Sequence, residues 1–280
     1  LFGAGYASDG SVAVLPDFLG LGVAGTDTYH PYLHLQTQSS ASVDLMRAAR
    51  TLAQQLGVTL DRRNLFVTGY SQGGGAAMGL VRELERNFAT EFPVLAAAPM
   101  SGPYDLEGTA RTIIETDPQY SQSVLYTAYL GEAMRRVYQL APTTTAYFAA
   151  PHDQTAAAIV EGRVTPTQLA SLPPRPRALL QPALLQALQA NRDHPLWRAL
   201  RDNDAVDWTP RTPLRLYFGG ADRDVFPQNA TTAQTRMRAN GATNVAAVNV
   251  GATLDHAGAV LPATRAGRVF LDSVRRTLAP

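Results

Sequence analysis

The sequence contains no cysteine and no lysine among its 280 residues, so its 24 basic side chains are all arginines. Without cysteine the chain can form no disulfide, no thiolate metal site and no cysteine nucleophile. Without lysine it can form neither a Schiff base with a carbonyl substrate nor a Walker-type phosphate site. These two absences exclude these chemistries whatever the fold.

Charge of one sign and long apolar runs are also scarce. The formal net charge is +1 at pH 7, and no basic run marks a surface for nucleic acid or anionic lipid. No apolar stretch approaches the ~20 residues that a membrane-spanning helix needs. We therefore expect neither a nucleic-acid partner nor stable membrane insertion, whereas a hydrophobic content of 45% is enough for a substantial core.

The first four residues, Leu-Phe-Gly-Ala, include neither an initiator methionine nor the charged start of a signal peptide. We expect that the chain begins partway into a longer protein. The lack of cysteine does not identify the compartment, because secreted proteins without disulfides exist.

The first hundred residues alternate between β-branched runs and helical patterns. Helices are predicted from Ser39 to Leu56, with Ser39 or Ser40 as the N-cap, and from about Gln72 to Asn87. Buried strands are predicted at Ser11–Leu15, Leu65–Thr68 and Val94–Ala98. This alternation predicts an α/β fold with a mostly parallel sheet flanked by helices.

The pattern changes between residues 104 and 212, where helical segments and prolines are frequent and no strand is predicted. Strands return at Leu214–Phe218 and Val245–Val250. The simplest interpretation is a core formed by residues 1–103 and 213–280. Residues 104–212 are then a helical insertion that covers one end of the sheet as a cap, or lid.

The segment Gly69-Tyr70-Ser71-Gln72-Gly73 matches G-x-S-x-G between a predicted strand and a predicted helix. That context is the one in which a serine sits on a sharp turn with its hydroxyl exposed, next to the positive end of a helix dipole. The pattern alone is weak, and a glycine turn whose serine caps the helix is the alternative. The flanking strand and helix favour Ser71 as a nucleophile.

A serine nucleophile needs a base, and the base needs an acid that orients it. Of five histidines, His256 alone follows the last predicted strand and precedes the final helix, so it is the candidate base. The acid should follow the strand at 214–218, where Asp222 is favoured over Asp224. Asp224 is expected to bond loop backbone or Arg223, and Asp255 is expected at the surface.

A tetrahedral intermediate also needs two donors for its oxyanion. The main-chain N–H of Gln72, directly after the nucleophile, is one candidate. The second should come from the loop Pro16–Gly20, the only earlier loop that follows a predicted strand.

Two further patterns receive a structural interpretation. His30 and His34 have the i, i+4 spacing of a metal pair, but Pro31 and the loop composition argue against a helix there, so loop-shaping hydrogen bonds are favoured. Three tyrosines at helical spacing are expected in the core of the cap, although one face could line an acyl tunnel: Tyr126, Tyr129 and Tyr138. No metal site and no cofactor site is predicted.

The chain resembles the α/β-hydrolase superfamily and, within it, the secretory lipase group of lipase A-like enzymes. The resemblance rests on five motifs in order: "VAVLPDFLGLG" at 12–22, "HPYLH" at 30–34, "VTGYSQGG" at 67–74, "YFGGADRDVFPQNA" at 217–230 and "DHAG" at 255–258. It covers the sheet and its helices well, and the cap only as an expectation that a helical insertion belongs there.

The resemblance implies a triad of Ser71, Asp222 and His256, and an oxyanion hole formed by the main-chain N–H groups of Asp17 and Gln72. It implies a cofactor-free enzyme that acts on carboxylic esters and is secreted or periplasmic. Members of the group have more strands before the motif at residue 12 than ten residues can form. N-terminal strands are therefore expected to be absent from this chain, or the sheet to be reduced.

The sequence thus predicts a serine esterase or lipase that acts on a small-molecule ester through an acyl-enzyme. A peptidase or amidase with the same machinery is the second hypothesis, because nothing in the sequence separates leaving groups. A catalytically inactive binding protein on the same fold is the third, and it would require a broken triad. Acyl-chain length and oligomeric state are not readable from the sequence.

Overall fold

The computed structural model describes residues 2–8, 10–24 and 28–277. Its strands form one four-stranded sheet: β1 (Leu65–Tyr70), β2 (Val94–Met100), β3 (Leu214–Gly219) and β4 (Val245–Gly251). Neighbours in the sheet follow chain order, and each neighbouring pair is parallel. The predicted α/β fold with a parallel sheet is confirmed.

The helices of the described residues surround this sheet. They are α1 (Phe2–Ala7), α2 (Leu35–Gln55), α3 (Gln72–Asn87), α4 (Leu106–Thr116), α5 (Ser121–Val137), α6 (His152–Val160), α7 (Pro166–Ala170), α8 (Pro176–Leu179), α9 (Pro182–Ala190), α10 (Pro195–Asp202), α11 (Gln228–Ala239) and α12 (Val260–Arg276). None of them is both long enough and apolar enough to cross a bilayer.

Both faces of the sheet are covered. On one face, side chains of β1–β4 pack with α2, α3 and α11, around fully buried residues such as Met78 and Met237. On the other face, Ala96 and Ala98 of β2 pack against Ala263 of α12. Burial on both sides explains why β2 reads as a continuous apolar run. The carboxyl ends of the strands are thereby held on a rigid support.

The strand predicted at Ser11–Leu15 is wrong. Residues 11–18 have no regular secondary structure, and Val12 and Leu15 are 53% and 60% exposed. A strand needs a neighbour to share its main-chain hydrogen bonds, and this segment forms no ladder with the sheet. A β-branched run supplies the local preference for a strand but not that partner.

The start of α2 also differs from the prediction. The helix begins at Leu35, with His34 in the N-cap position, and Ser39 is a buried residue inside it. The first helical N–H, that of Leu35, donates to the side chain of Asn203 at 2.9 Å. The cap is therefore supplied by a residue 168 positions away, which local sequence signals cannot indicate.

The seven helices between β2 and β3, α4 to α10, form an apolar cluster of their own. This cluster contains the buried side chains of Phe148, Leu179 and Trp197. Two polar side chains anchor its start: Asn229 accepts from the N–H of Tyr104, and Asp204 accepts from the N–H of Leu106. The division of the chain into core and cap stays a prediction.

Candidate active site

Ser71 lies in the turn that joins β1 to α3. Its backbone has φ 58° and ψ −123°, a strained combination for serine that persists only where its surroundings enforce it. A methyl group on Gly69 would collide with the main chain of Gly73, so the close approach of the two arms of the turn requires glycine at 69. The G-x-S-x-G segment therefore forms a tight elbow with Ser71 at its tip.

Hydrogen bonds fix the elbow on both sides. The N–H of Ser71 donates to the carbonyl of Met100 at 3.0 Å, and the carbonyl of Ser71 accepts from Gly74 at 2.8 Å and Gly75 at 3.2 Å. With its main chain held in this way, Ser71 places its Oγ 2.9 Å from Nε2 of His256.

Asp222 follows β3 and is held by its own loop. One carboxylate oxygen, Oδ1, accepts from the N–H groups of Asp224 at 3.0 Å and Val225 at 2.9 Å. The other oxygen, Oδ2, lies 2.7 Å from Nδ1 of His256, and the side chain is fully buried. Two bonds on one oxygen fix the carboxylate plane, so the second oxygen points at the imidazole.

His256 lies in the loop between β4 and α12, between the other two side chains. Burial lowers the pKa of His256, but the hydrogen bond and the charge of Asp222 raise it, with contributions from Asp224 and Asp255, and the net shift of the pKa is upward. A more basic imidazole is a better acceptor for the proton of Ser71.

The other two aspartates near His256 point elsewhere. Asp224 accepts a hydrogen bond from the hydroxyl of Tyr120, a partner in the segment before α5, rather than from Arg223 as expected. Asp255 is exposed, and it accepts a main-chain N–H three residues further on at 2.8 Å. Their carboxylates act on the imidazole only through charge.

The two residues predicted for the oxyanion hole lie in different surroundings. Gln72 is the first residue of α3, where an N–H group has no partner within the helix. Asp17 is an exposed residue of the irregular segment 11–18. The oxyanion hole stays a prediction.

A cavity of about 100 Å³ opens beside Ser71 and Gln72. Most of its wall is apolar and comes from residues between 104 and 212, including Leu106, Ile113, Leu130, Leu184, Leu188 and Trp197. Of the three tyrosines expected in the cap core, Tyr126 lines this cavity, whereas Tyr129 stacks on Tyr32 with ring centroids 4.1 Å apart.

The histidines of the "HPYLH" segment take part in local contacts. His30 is buried, with Nδ1 2.7 Å from the carbonyl of Leu19 and Nε2 2.7 Å from the side-chain nitrogen of Gln72. His34 has its Nδ1 3.3 Å from the hydroxyl of Thr37. Within the described ranges, no group of three or more His, Asp or Glu side chains could hold a metal ion.

Sequence reasoning missed two residues that contact this site. The hydroxyl of Tyr70 bonds to the main chain of His256, and the only signal for it is its position inside G-x-S-x-G. The ring of His30 contacts Gln72, which lies 42 residues further on. No sequence spacing indicates that contact, because it depends on how a loop folds over α3.

Known structures resemble this chain over most of its length, although no protein-family model and no curated protein sequence matches it. The rice cell wall degrading esterase LipA from Xanthomonas oryzae is 30% identical, with a TM-score of 0.78; the match covers 93% of this chain and 69% of LipA. A protein from Legionella pneumophila, to which a hydrolase function has been ascribed, is 27% identical with a TM-score of 0.88, over 97% of this chain and 72% of that one.

A more distant match shows the fold alone. Candida antarctica lipase A is 17% identical with a TM-score of 0.65, over 89% of this chain and 56% of the lipase. The shared architecture is that of the α/β-hydrolases. With 30% identity to LipA over more than two thirds of that enzyme, this chain belongs to the LipA-like esterase and lipase family of α/β-hydrolases.

Proposed function

We propose that this protein is a serine hydrolase that cleaves carboxylic esters through a Ser71–His256–Asp222 triad. The observation that carries the proposal is the line of two hydrogen bonds, 2.9 Å from Ser71 Oγ to His256 Nε2 and 2.7 Å from His256 Nδ1 to Asp222. Both lengths lie within the range in which a base can accept a proton from its donor. Similarity to esterases and lipases supports the same reaction class.

In the proposed first half-reaction, Oγ of Ser71 attacks the ester carbonyl while Nε2 of His256 takes the hydroxyl proton. Asp222 accepts the N–H at Nδ1 of His256, which keeps the ring in the required tautomer and stabilises the imidazolium. The tetrahedral intermediate then collapses. The bond to the alcohol breaks, and His256 gives its proton to the leaving oxygen.

In the proposed second half-reaction, water attacks the acyl group on Ser71. His256 takes a proton from that water, and on collapse of the intermediate returns a proton to Oγ of Ser71. The products are one carboxylic acid and one alcohol for each ester and water consumed. None of these steps calls for a cofactor or a metal ion.

The oxyanion would be held by the main-chain N–H groups of Gln72 and Asp17. Gln72 suits this role because it is the first residue of α3, where free N–H groups and the helix dipole favour negative charge. Removing one such donor costs ~10²–10³-fold in rate in other hydrolases.

The apolar cavity beside Ser71 supports an acyl group of hydrocarbon character as the part of the substrate that is buried. Its walls carry leucine, isoleucine and tryptophan side chains from α4, α5, α9 and α10, and such surfaces favour apolar ligands. We assign residues 104–212 to a cap that forms this pocket over the core. Export from the cell, which the resemblance to secretory lipases implies, is part of the same proposal.

The test compares wild type with Ser71→Ala on p-nitrophenyl butyrate and on aminoacyl p-nitroanilides. We expect wild type to cleave the ester in preference to the amides, and Ser71→Ala to lose ~10⁴–10⁶-fold in kcat with its Tm preserved. Ser40→Ala, an exposed serine of α2, is the matched control and should behave as wild type. A Ser71→Ala variant as fast as wild type would refute the proposal, and a fluorophosphonate that labels Ser40→Ala but not Ser71→Ala would support it.

A further inference from the structure

His30 is a junction between three parts of the molecule. The side chain and main chain are buried, with 1% of the residue exposed. Its main-chain N–H donates to the carbonyl of Val160, at the end of α6, at 2.7 Å. Its ring nitrogens lie 2.7 Å from the carbonyl of Leu19 and 2.7 Å from the side-chain amide nitrogen of Gln72.

These contacts define which ring nitrogen carries the proton. Nδ1 faces a carbonyl oxygen of Leu19, which can only accept, so Nδ1 must carry the hydrogen. Nε2 then holds the lone pair and accepts from the amide of Gln72. Burial lowers the pKa of His30, which is consistent with a neutral ring that donates on one side and accepts on the other.

The two partners of the ring are neighbours of the two proposed oxyanion donors. Leu19 is two residues after Asp17, and Gln72 is itself the second donor through its main chain. The ring of His30 therefore spans the gap between the irregular loop and the start of α3. Phe18 adds to this link, because its ring stacks on that of His30 with centroids 6.4 Å apart.

The loop has few other means of holding its position. Residues 11–18 belong to no helix or strand, and Leu19 is half exposed. By contrast, the ring of His30 is supported from behind by Tyr129 of α5, with centroids 5.9 Å apart in an edge-on arrangement. A rigid ring that contacts a weakly supported loop determines where that loop lies.

We propose that His30 is a positioning residue for ester hydrolysis, which holds the Asp17 loop at a fixed distance from Gln72 so that both N–H groups converge on one oxygen. The inference rests on the proposed function. Oxyanion donors act only at 2.7–3.1 Å from the developing charge, and shifts of about 0.5 Å already weaken such sites. His30 touches neither the substrate nor Ser71, and it acts through its two partners.

The experiment uses variants that cut one bond at a time. His30→Asn keeps a donor near the position of Nδ1 but cannot reach Gln72, whereas Gln72→Met removes the amide and leaves the main-chain N–H in place. We expect each variant to lose ~10–100-fold in kcat/KM on p-nitrophenyl butyrate, with KM changed less than threefold. The double variant should lose no more than the worse single one, because both cut the same link.

A transition-state analogue separates positioning from simple loss of structure. Affinity for an alkyl boronic acid, which forms a tetrahedral anion on a serine, should fall in parallel with kcat/KM, while rates are normalised to the active fraction by titration. His34→Asn is the matched control: it is also buried, and its ring contacts Thr37 rather than Gln72. This control should keep both its boronate affinity and its kcat/KM.

Two outcomes would overturn the inference about His30. One is wild-type kcat/KM in His30→Asn and Gln72→Met. The other is a loss that disappears after normalisation or that His34→Asn shares. Failure of the proposed function is recognised separately, since wild type would then cleave no ester or Ser71→Ala would cleave it normally.

Discussion

The hydroxyl of Tyr70 donates a 2.5 Å hydrogen bond to the main-chain carbonyl of His256. The residue before the proposed nucleophile thereby holds the loop of the proposed base, 186 positions away in the chain. The two rings also contact each other, with centroids 5.2 Å apart. The elbow and the histidine loop are therefore coupled directly, and not only through the sheet.

Tyr70→Phe tests this coupling because it removes the hydroxyl and keeps the ring. A hydrogen bond of this kind contributes about 0.5–1.5 kcal/mol, so we expect kcat to fall ~3–10-fold with KM and Tm little changed. Steady-state kinetics on p-nitrophenyl butyrate with active-site titration measure it. Tyr138→Phe is the control, because its hydroxyl bonds to Asn203 instead, and an equal loss of kcat in both variants would contradict the role of Tyr70.

The acid limb of kcat/KM should lie above pH 6.5. The base must be neutral to act, and the pKa of His256 is raised above the ordinary histidine value of about 6.5. Activity should therefore be lost as pH falls through that raised pKa, and not at the lower pH of an unperturbed histidine. A kcat/KM profile between pH 5 and 9 locates the midpoint, and a midpoint below 6.5 would contradict the assignment.

Asp224→Asn should move that midpoint to lower pH. The charge of Asp224 helps to raise the pKa of His256, and asparagine removes the charge while it can still accept from Tyr120. Asp255→Asn is the matched control: this carboxylate also raises the pKa but by less, and it is exposed to solvent. A larger shift in Asp255→Asn than in Asp224→Asn would show that the electrostatic interpretation is wrong.

Ala110→Phe should shorten the acyl groups that the enzyme accepts. Ala110 lines the apolar cavity from α4, and a phenyl ring there occupies volume that a long acyl chain needs. We expect kcat/KM for p-nitrophenyl decanoate to fall at least tenfold relative to that for p-nitrophenyl acetate. Ala183→Phe, at an exposed position of α9 outside the cavity wall, should leave the ratio unchanged. An unchanged ratio in Ala110→Phe would place the acyl group elsewhere.

The parallel sheet could be predicted from local sequence because its strands are buried on both faces. The runs at Leu65–Thr68 and Leu214–Phe218 are apolar and are bounded by glycine turns, and both lie within strands of the structure. The prediction at Ser11–Leu15 fails for the opposite reason: the run has strand propensity, but nothing pairs with it.

The candidate site divides in the same way. G-x-S-x-G and the chain order of serine, acid and base single out Ser71, Asp222 and His256 in the sequence, and the structure brings their side chains within 2.9 Å of one another in turn. The exchange of bonds between His30, Leu19 and Gln72 has no such pattern, and neither has the cap of α2 by Asn203.

By itself, the sequence determined the turn chemistry of the elbow, the α/β alternation and the residue types available for proton transfer, because each depends on neighbours within a few positions. The tertiary structure alone decided which carboxylate faces His256, which side chains line the cavity and what holds the Asp17 loop. Those contacts join residues 34 to 186 positions apart, and only the packing of helices on the sheet brings such residues together.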